Sequence, residues 1–200
     1  PDSVEMAARL GAKTVWLPSH DSAHHNRVIN DPGTHWIELL DENDKPVPEL
    51  YQIFEIVAAN NMILDPCHAS TKQRFIVVRE AKKVGVKHIM ITHPNWNVTK
   101  MTMEQMIEIS QMGAYIGIFA YGDIPNFNNP NCDPYYFIEC IKRIGADHIF
   151  IASDLGTVVN VPPVEGMKLF VRILLASGFD KQTIRKMVVD NPRRLLGLDG

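Results

Sequence analysis

Short apolar runs recur along the chain, each preceded by a stretch of helical apolar spacing and parted from it by a glycine or an asparagine. "GVKHIMITHP" (85–94) and "GADHIFIASD" (145–154) show the unit most clearly: glycine, two spacers, histidine, an apolar run, then polar residues. Glycine at that place can take the left-handed conformation that ends a helix. Ile89, Met90 and Ile91, like Ile149, Phe150 and Ile151, are apolar without alternation. That is the pattern of a strand covered on both faces, and therefore of a parallel one.

The unit repeats elsewhere. "SVEMAARL" (3–10) reads as a helix capped by Asp2 or Ser3 and stopped by Gly11, after which "TVWLP" runs as a strand to Ser19 and His20. "PELYQIFEIVAANN" places Leu50, Ile53, Phe54 and Val57 on one helical face; Asn60 or Asn61 stops it, and "MILDP" delivers Cys67 and His68. A helix over 71–84 precedes the strand of 85–94. "MTMEQMIEISQM" ends at Gly113 and "AYIGIF" leads to Tyr121. Asp133 then caps "PYYFIECIKRI", with Pro134 in its first turn, and Gly145 opens the fifth unit. Helices follow near 163–177 and 180–189. In the closing "NPRRLLGL", Asn191 is expected to cap and Pro192 to begin a short helix. Strands alternating with helices in this way predict an α/β chain built on a parallel sheet. Two longer connections, 19–45 and 121–134, both leave strand ends and should lie over one mouth. "HWIELLDENDKPV" is expected to hold a small hairpin.

The register of these units aligns chemistry. Eight positions after each helix stop stand Ser19, His68, His93, Tyr121 and Ser153; nine positions after stand His20 and Asp154. Equivalent strand ends share one rim, where parallel folds keep their active groups. Neutral imidazole and carboxylate are the ligand types of zinc and related divalent ions, so His68, His93, Asp154 and His20 are the candidate metal ligands. Asp154 and His93 are also candidates for proton transfer and carbonyl polarisation. Each has a plainer reading: a histidine at a strand end can be a hydrogen-bonded structural residue, and an aspartate there can cap a helix. His24, His25 and His35 sit in the long insertion and read as solvated, while His88 and His148, at the entry ends of their strands, read as structural. Cys67 reads as a small buried hydrophobe rather than a nucleophile. Met101, Met103, Met106 and Met112 read as core filling, and Arg193 and Arg194 as solvating the last helix or pairing with carboxylates.

Composition narrows the partners. The 200 residues are 46% hydrophobic and 22% charged, as suits one globular domain over 1–200. A net charge of -3 without any basic run leaves no electrostatic footprint for nucleic acid or an anionic membrane. No apolar stretch approaches a membrane span, and the N-terminus carries no signal pattern. Cys67, Cys132 and Cys140 are odd in number and lack CxxC spacing, so neither a disulfide framework nor a zinc knuckle is implied and a reducing cytoplasm is expected.

With these residues in hand, the chain resembles the amidohydrolase superfamily of metal-dependent (β/α)8 TIM barrels. That family's ligands at strands five, six and eight are His, His and Asp. His68, His93 and Asp154 follow the second, third and fifth strands here, at the same intervals, which makes the first recognised strand the fourth of a barrel. "THP" at 92–94, "ASDLG" at 152–156 and "DNPRRLLGL" add to a resemblance that spans essentially the whole chain. It implies a chain supplying strands four to eight and the C-terminal helices, N-terminally incomplete. It further implies a divalent metal, zinc first with manganese or iron as alternatives, and hydrolysis of a small amide, lactone or related cyclic substrate by metal-activated water. The expected partner is a small molecule, with a homo-oligomer left open. Two features depart from the family. Its His-x-His pair and first three strands are missing, so either that part precedes this sequence or the chain is a truncated relative with an impaired site. Strand four offers neither Lys nor Glu to bridge two metals, the nearest group being His20, so one metal is expected. A decarboxylase or hydratase of small carboxylic acids and a catalytically inactive interaction module are the alternatives.

Overall fold

The computed structural model describes residues 1–17, 39–94, 100–125 and 133–198. Ser19, His20, His24, His25, His35 and Cys132 lie outside the described residues, as do most of the first long connection and half of the second. The elements run α1 (Asp2–Arg9), β1 (Thr14–Trp16), α2 (Pro48–Ala59), β2 (Ile63–Asp65), α3 (Thr71–Val84), β3 (His88–Ile91), α4 (Met103–Gln111), β4 (Tyr115–Phe119) and a short α5 (Ala120–Asp123). They continue through α6 (Pro134–Ile144), a 3-10 turn (Ala146–His148), β5 (Ile149–Ala152), α7 (Pro163–Ala176) and α8 (Lys181–Arg185). A π-helical turn (Lys186–Asp190) then leads into α9 (Asn191–Leu195).

The five strands pair in chain order, β1 to β5, and every pairing is parallel. A sheet that never reverses its order is wound like a barrel, whereas a doubly wound sheet switches direction at its centre. The pairing Ile63↔His88, Met90↔Tyr115 and Ile116↔Ile149 brings the ends of the strands to one rim.

The two sheet faces differ. Leu64, Ile89, Ile91, Ile116, Ile149 and Ile151 join the large core with Phe54, Val77, Phe137 and Phe170 of the helices. On the other face Ile63, Phe150 and Leu195 form a smaller cluster against Met90, Tyr115, Phe119 and Ala152. The unbroken apolar runs therefore hide an alternation of burial: Ile89 and Ile91 are fully covered, while Met90 between them is only half-buried. Helices seal one face completely, whereas five strands enclose only part of a barrel's interior. That interior is tight around β4, where a Cβ on Gly117 would come within 2.6 Å of the Phe119 ring and 2.7 Å of the Phe150 ring.

Most boundaries match the sequence pattern, and the exceptions have local causes. α1 has Pro1 at its cap position and no capping side chain, so neither Asp2 nor Ser3 caps it. The Pro1 carbonyl already accepts from Val4 and Glu5 N–H, which starts the helix one residue earlier and puts Asp2 in the first turn, where its charge suits the dipole. α3 closes as expected at Gly85 (φ 102, ψ 15) and opens on a reciprocal Ser70–Gln73 capping box. Gly145 (φ 88, ψ 145) also ends its helix at a positive φ open to glycine, but its ψ lies outside the left-handed helical range as it leads into the 3-10 turn before β5. Asn191 does not cap: the residues before it are already helical, and its side chain donates to the Ala146 and Ile149 carbonyls at 2.7 and 2.6 Å. Arg193 donates to the Leu198 carbonyl, and Arg194 approaches the Tyr115 hydroxyl. Within 39–47 the expected hairpin exists as a Leu40–Pro46 antiparallel bridge, its turn held by the Asp41 carboxylate. Met101 and Met106 fill the core. Among the described residues no helix is long and apolar enough to cross a membrane.

Candidate active site

β2, β3 and β5 deliver His68, His93 and Asp154 to the same rim. The His68 and His93 rings lie 5.2 Å apart between centroids, tilted by 46°. His93 Nδ1 stands 3.9 Å from Asp154 Oδ2. His93 also stacks on Phe119, with centroids 4.7 Å apart and planes 28° from parallel. Three of the four sequence candidates thus converge; the fourth, His20, is outside the described residues.

The rim is built from unusual backbone. Cys67 (φ 44), His93 (φ 51) and Asp154 (φ 50) all take the left-handed region. For a residue with a Cβ that conformation costs about 1 kcal/mol or more and persists only where the surroundings enforce it. Among the described residues Asp44 and Asn61 take it as well; Asn, Asp and His are the non-glycine types that adopt it most readily, which leaves Cys67 the least expected of the five.

Enforcement comes from buried polar groups beneath the histidines. Asp65, the last residue of β2, accepts the Thr92 hydroxyl at 2.7 Å, the Cys67 N–H at 2.8 Å and the Thr92 N–H at 3.4 Å. Arg74, in the first turns of α3, donates to the Cys67 and Thr92 carbonyls at 2.5 and 3.1 Å. A third support comes from α5, where buried Asp123 accepts the Phe119 N–H at 3.2 Å and Tyr121 N–H donates to the Ser153 carbonyl beside Asp154. Sequence reading missed Asp65, Arg74, Phe119 and Asp123 as site residues. Arg74 carried a legible signal: it shares a helical stripe with Val77, Val78 and Ala81, all buried, so a charge sits on the face turned to the core.

Burial sets the charges. It pushes the His93 imidazole down to about 4, helped by His68 and Arg74, so the ring is neutral near pH 7 and its 3.9 Å approach to Asp154 is not an ion pair there. Desolvation raises the partly exposed Asp154 carboxyl. Burial likewise lifts Asp65 to about 6, against hydrogen bonds from Thr92 and Cys67 and the charge of Arg74. The Cys67 thiol rises to about 12 through burial and then Asp65, which keeps it protonated and unreactive, in line with its reading as a hydrophobe.

The donor set, two imidazoles beside a carboxylate, fits a zinc-type ion in its chemistry. Among the described residues no group of three His, Cys, Asp or Glu side chains is gathered closely enough to hold one. His68 and His93 are the pair whose spacing suits coordination, with Asp154 at its edge.

Comparison with known proteins adds the following. Residues 1–117 match the model of a family described as a family of unknown function, DUF6282. No curated protein matches the chain. The chain is similar in structure to a metallo peptidase from Rhodobacter sphaeroides, solved with a phosphinate mimic of the dipeptide L-Ala-D-Ala. The TM-score is 0.69 at 15% identity, over 100% of this chain and 59% of that one. It is similar also to an amidohydrolase from Pseudomonas aeruginosa, with TM-score 0.69 at 15% identity over 98% and 67% of the two chains. A phosphotriesterase homology protein from Escherichia coli, solved with phosphate in its active site, gives TM-score 0.61 at 14% identity over 96% and 67%. The fold is therefore shared with these three structures, and the chain spans 59% of the length of the first of them.

Proposed function

The chain belongs to DUF6282, a family of unknown function, and from that starting point we propose that it is a metal-dependent hydrolase of a small amide, lactone or related cyclic compound. The observation that carries the reading is the convergence of His68, His93 and Asp154 at one rim of a parallel sheet, at 5.2 and 3.9 Å. The metallo peptidase and amidohydrolase among its structural neighbours support the same reaction class.

His68 and His93 would hold a divalent ion, zinc first and manganese or iron as alternatives, with His20 as a further ligand. Such an ion supplies the Lewis acidity that makes water a nucleophile near neutral pH. The protein's own groups do the rest. Asp154, whose carboxyl is raised by desolvation, accepts the proton of the attacking water and returns it to the leaving group. His93, kept neutral by burial, offers a lone pair to the ion or an N–H to the scissile carbonyl, and Phe119 fixes its ring plane. Cys67 takes no part, since its thiol stays protonated.

The test measures bound metal and the hydrolysis of a panel of small lactones and amides. His68→Ala is expected to lose both metal and turnover, while Asp154→Ala keeps most of the metal and loses about 10²–10⁴-fold in turnover. Wild-type turnover in both variants would refute the mechanism. One observation favours a second reading, a catalytically inactive interaction module: the described residues gather no three-ligand set. Purified protein devoid of stoichiometric metal after growth in zinc-supplemented medium would decide for that alternative.

A further inference from the structure

We propose that Arg74 is a positioning residue that fixes the spacing of His68 and His93. The proposal deepens the metal-site reading above and rests on it for its functional meaning.

Cys67 precedes His68 and Thr92 precedes His93 in the sequence, at the tips of neighbouring strands. Arg74 Nη2 donates to both of their carbonyls, at 2.5 and 3.1 Å. The Asp65 carboxylate receives both of their N–H groups, at 2.8 and 3.4 Å, and the Thr92 hydroxyl at 2.7 Å. One cation and one anion thus grip the carbonyl and the N–H of each of these two residues, so the two strand tips share a single anchor. Both gripping side chains are fully buried. A guanidinium inside the protein has a large desolvation cost, which carbonyl bonds and a nearby carboxylate offset.

Geometry gives the anchor its use. Cys67 and His93 hold left-handed φ angles of 44 and 51°, and a non-glycine residue relaxes from that region unless it is held. Releasing the Cys67 carbonyl frees the tip carrying His68, and releasing the Thr92 carbonyl frees the turn at His93. Either change alters the 5.2 Å ring separation. Groups that orient the ligands of a metal in this way typically change its affinity 10–100-fold when removed. A lysine at position 74 could reach one carbonyl but lacks the planar, multiply donating head that spans both.

The experiment has a metal-free and a metal-bound arm. Histidine ring spectra, with ring-to-ring Overhauser effects, are recorded for metal-free wild type, Arg74→Gln and Arg74→Lys, and folding is checked by circular dichroism. The His68–His93 cross-peak is expected in wild type, lost in Arg74→Gln and partly regained in Arg74→Lys. Unchanged ring signals in folded Arg74→Gln overturn the proposal. Should Arg74→Gln not fold, Thr92→Val removes the hydroxyl from the same anchor at nearly constant shape; a shifted cross-peak supports the anchor and an unshifted one overturns it. In the second arm zinc affinity is measured by chelator competition and the ligand field by the visible spectrum of the cobalt(II) form. Arg74→Gln is expected to bind zinc about 10–100-fold more weakly with an altered cobalt spectrum. Equal zinc uptake by wild type and His68→Ala would sink the metal reading alone, and ring signals that still move in Arg74→Gln would continue to support the anchor.

Discussion

His93 shows how burial decides the state of one side chain. Its folded value of about 4 lies below the 6.5 of an exposed imidazole, so between these values the unfolded chain binds the extra proton. Stability contributed by the neutral ring is complete above about pH 6.5 and lost as pH falls toward about 4. Asp65 works in the opposite sense: its value is raised to about 6, and the stability linked to it is lost as pH rises through that value. Comparing two proteins that both contain Asp65 isolates the imidazole. In urea titrations of metal-free protein, wild type should lose about 2 kcal/mol more than His93→Gln between pH 7 and pH 5. Equal losses would show that the ring is hydrated. At this scale the sequence disclosed that His68, His93 and Asp154 gather at one rim, through the register that put them at matching strand ends. It did not disclose Asp65 and Phe119, which are single residues inside apolar runs and acquire meaning only from what the neighbouring strand places beside them.

At the level of elements, capping chemistry and glycine stops located most helices. Ser70 and Gln73 form the box that opens α3, Thr102 and Gln105 the box that opens α4, and Asp133 caps α6 as read from sequence. The end of the chain was misread because Asn191 carries a typical cap residue yet follows a π-helical turn that leaves no free helix start. Its amide instead ties α9 to the entry of β5 by two bonds in a fully buried position. Asn191→Ala leaves those carbonyls short of a donor and should cost about 1–3 kcal/mol in thermal or chemical unfolding. Because the bond lies at the entry end of β5, zinc binding at the rim should be unchanged. A variant as stable as wild type would show that water replaces the amide fully.

For the whole molecule, the parallel sheet was legible because each unit repeats the same helix, stop and strand grammar, and its sequential order was what the barrel resemblance implied. The unequal faces were not, since Met90 and Phe150 are as apolar as the residues sealed under the helices. One consequence lies beside α7, where Val164, Met167 and Val171 form an open apolar groove with Val188 of the π-helical turn, and Val164 is 64% exposed. Uncovered apolar surface of this kind drives association in water. The 200-residue chain is therefore expected to self-associate with rising concentration, and Val164→Lys to shift sedimentation toward the monomer. Monomeric wild type across the whole concentration range would contradict this.

The left-handed turns at positions 67, 93 and 154 also govern how the rim can vary. Valine, isoleucine and threonine are barred from these sites by their branching at Cβ, whatever reaction the pocket performs. A mutational survey would thus find intolerance there even in a protein that catalyses nothing. Glycine separates the two demands best at 154, where it accepts the turn while erasing a partly exposed carboxyl, so the damage that remains chiefly measures chemistry.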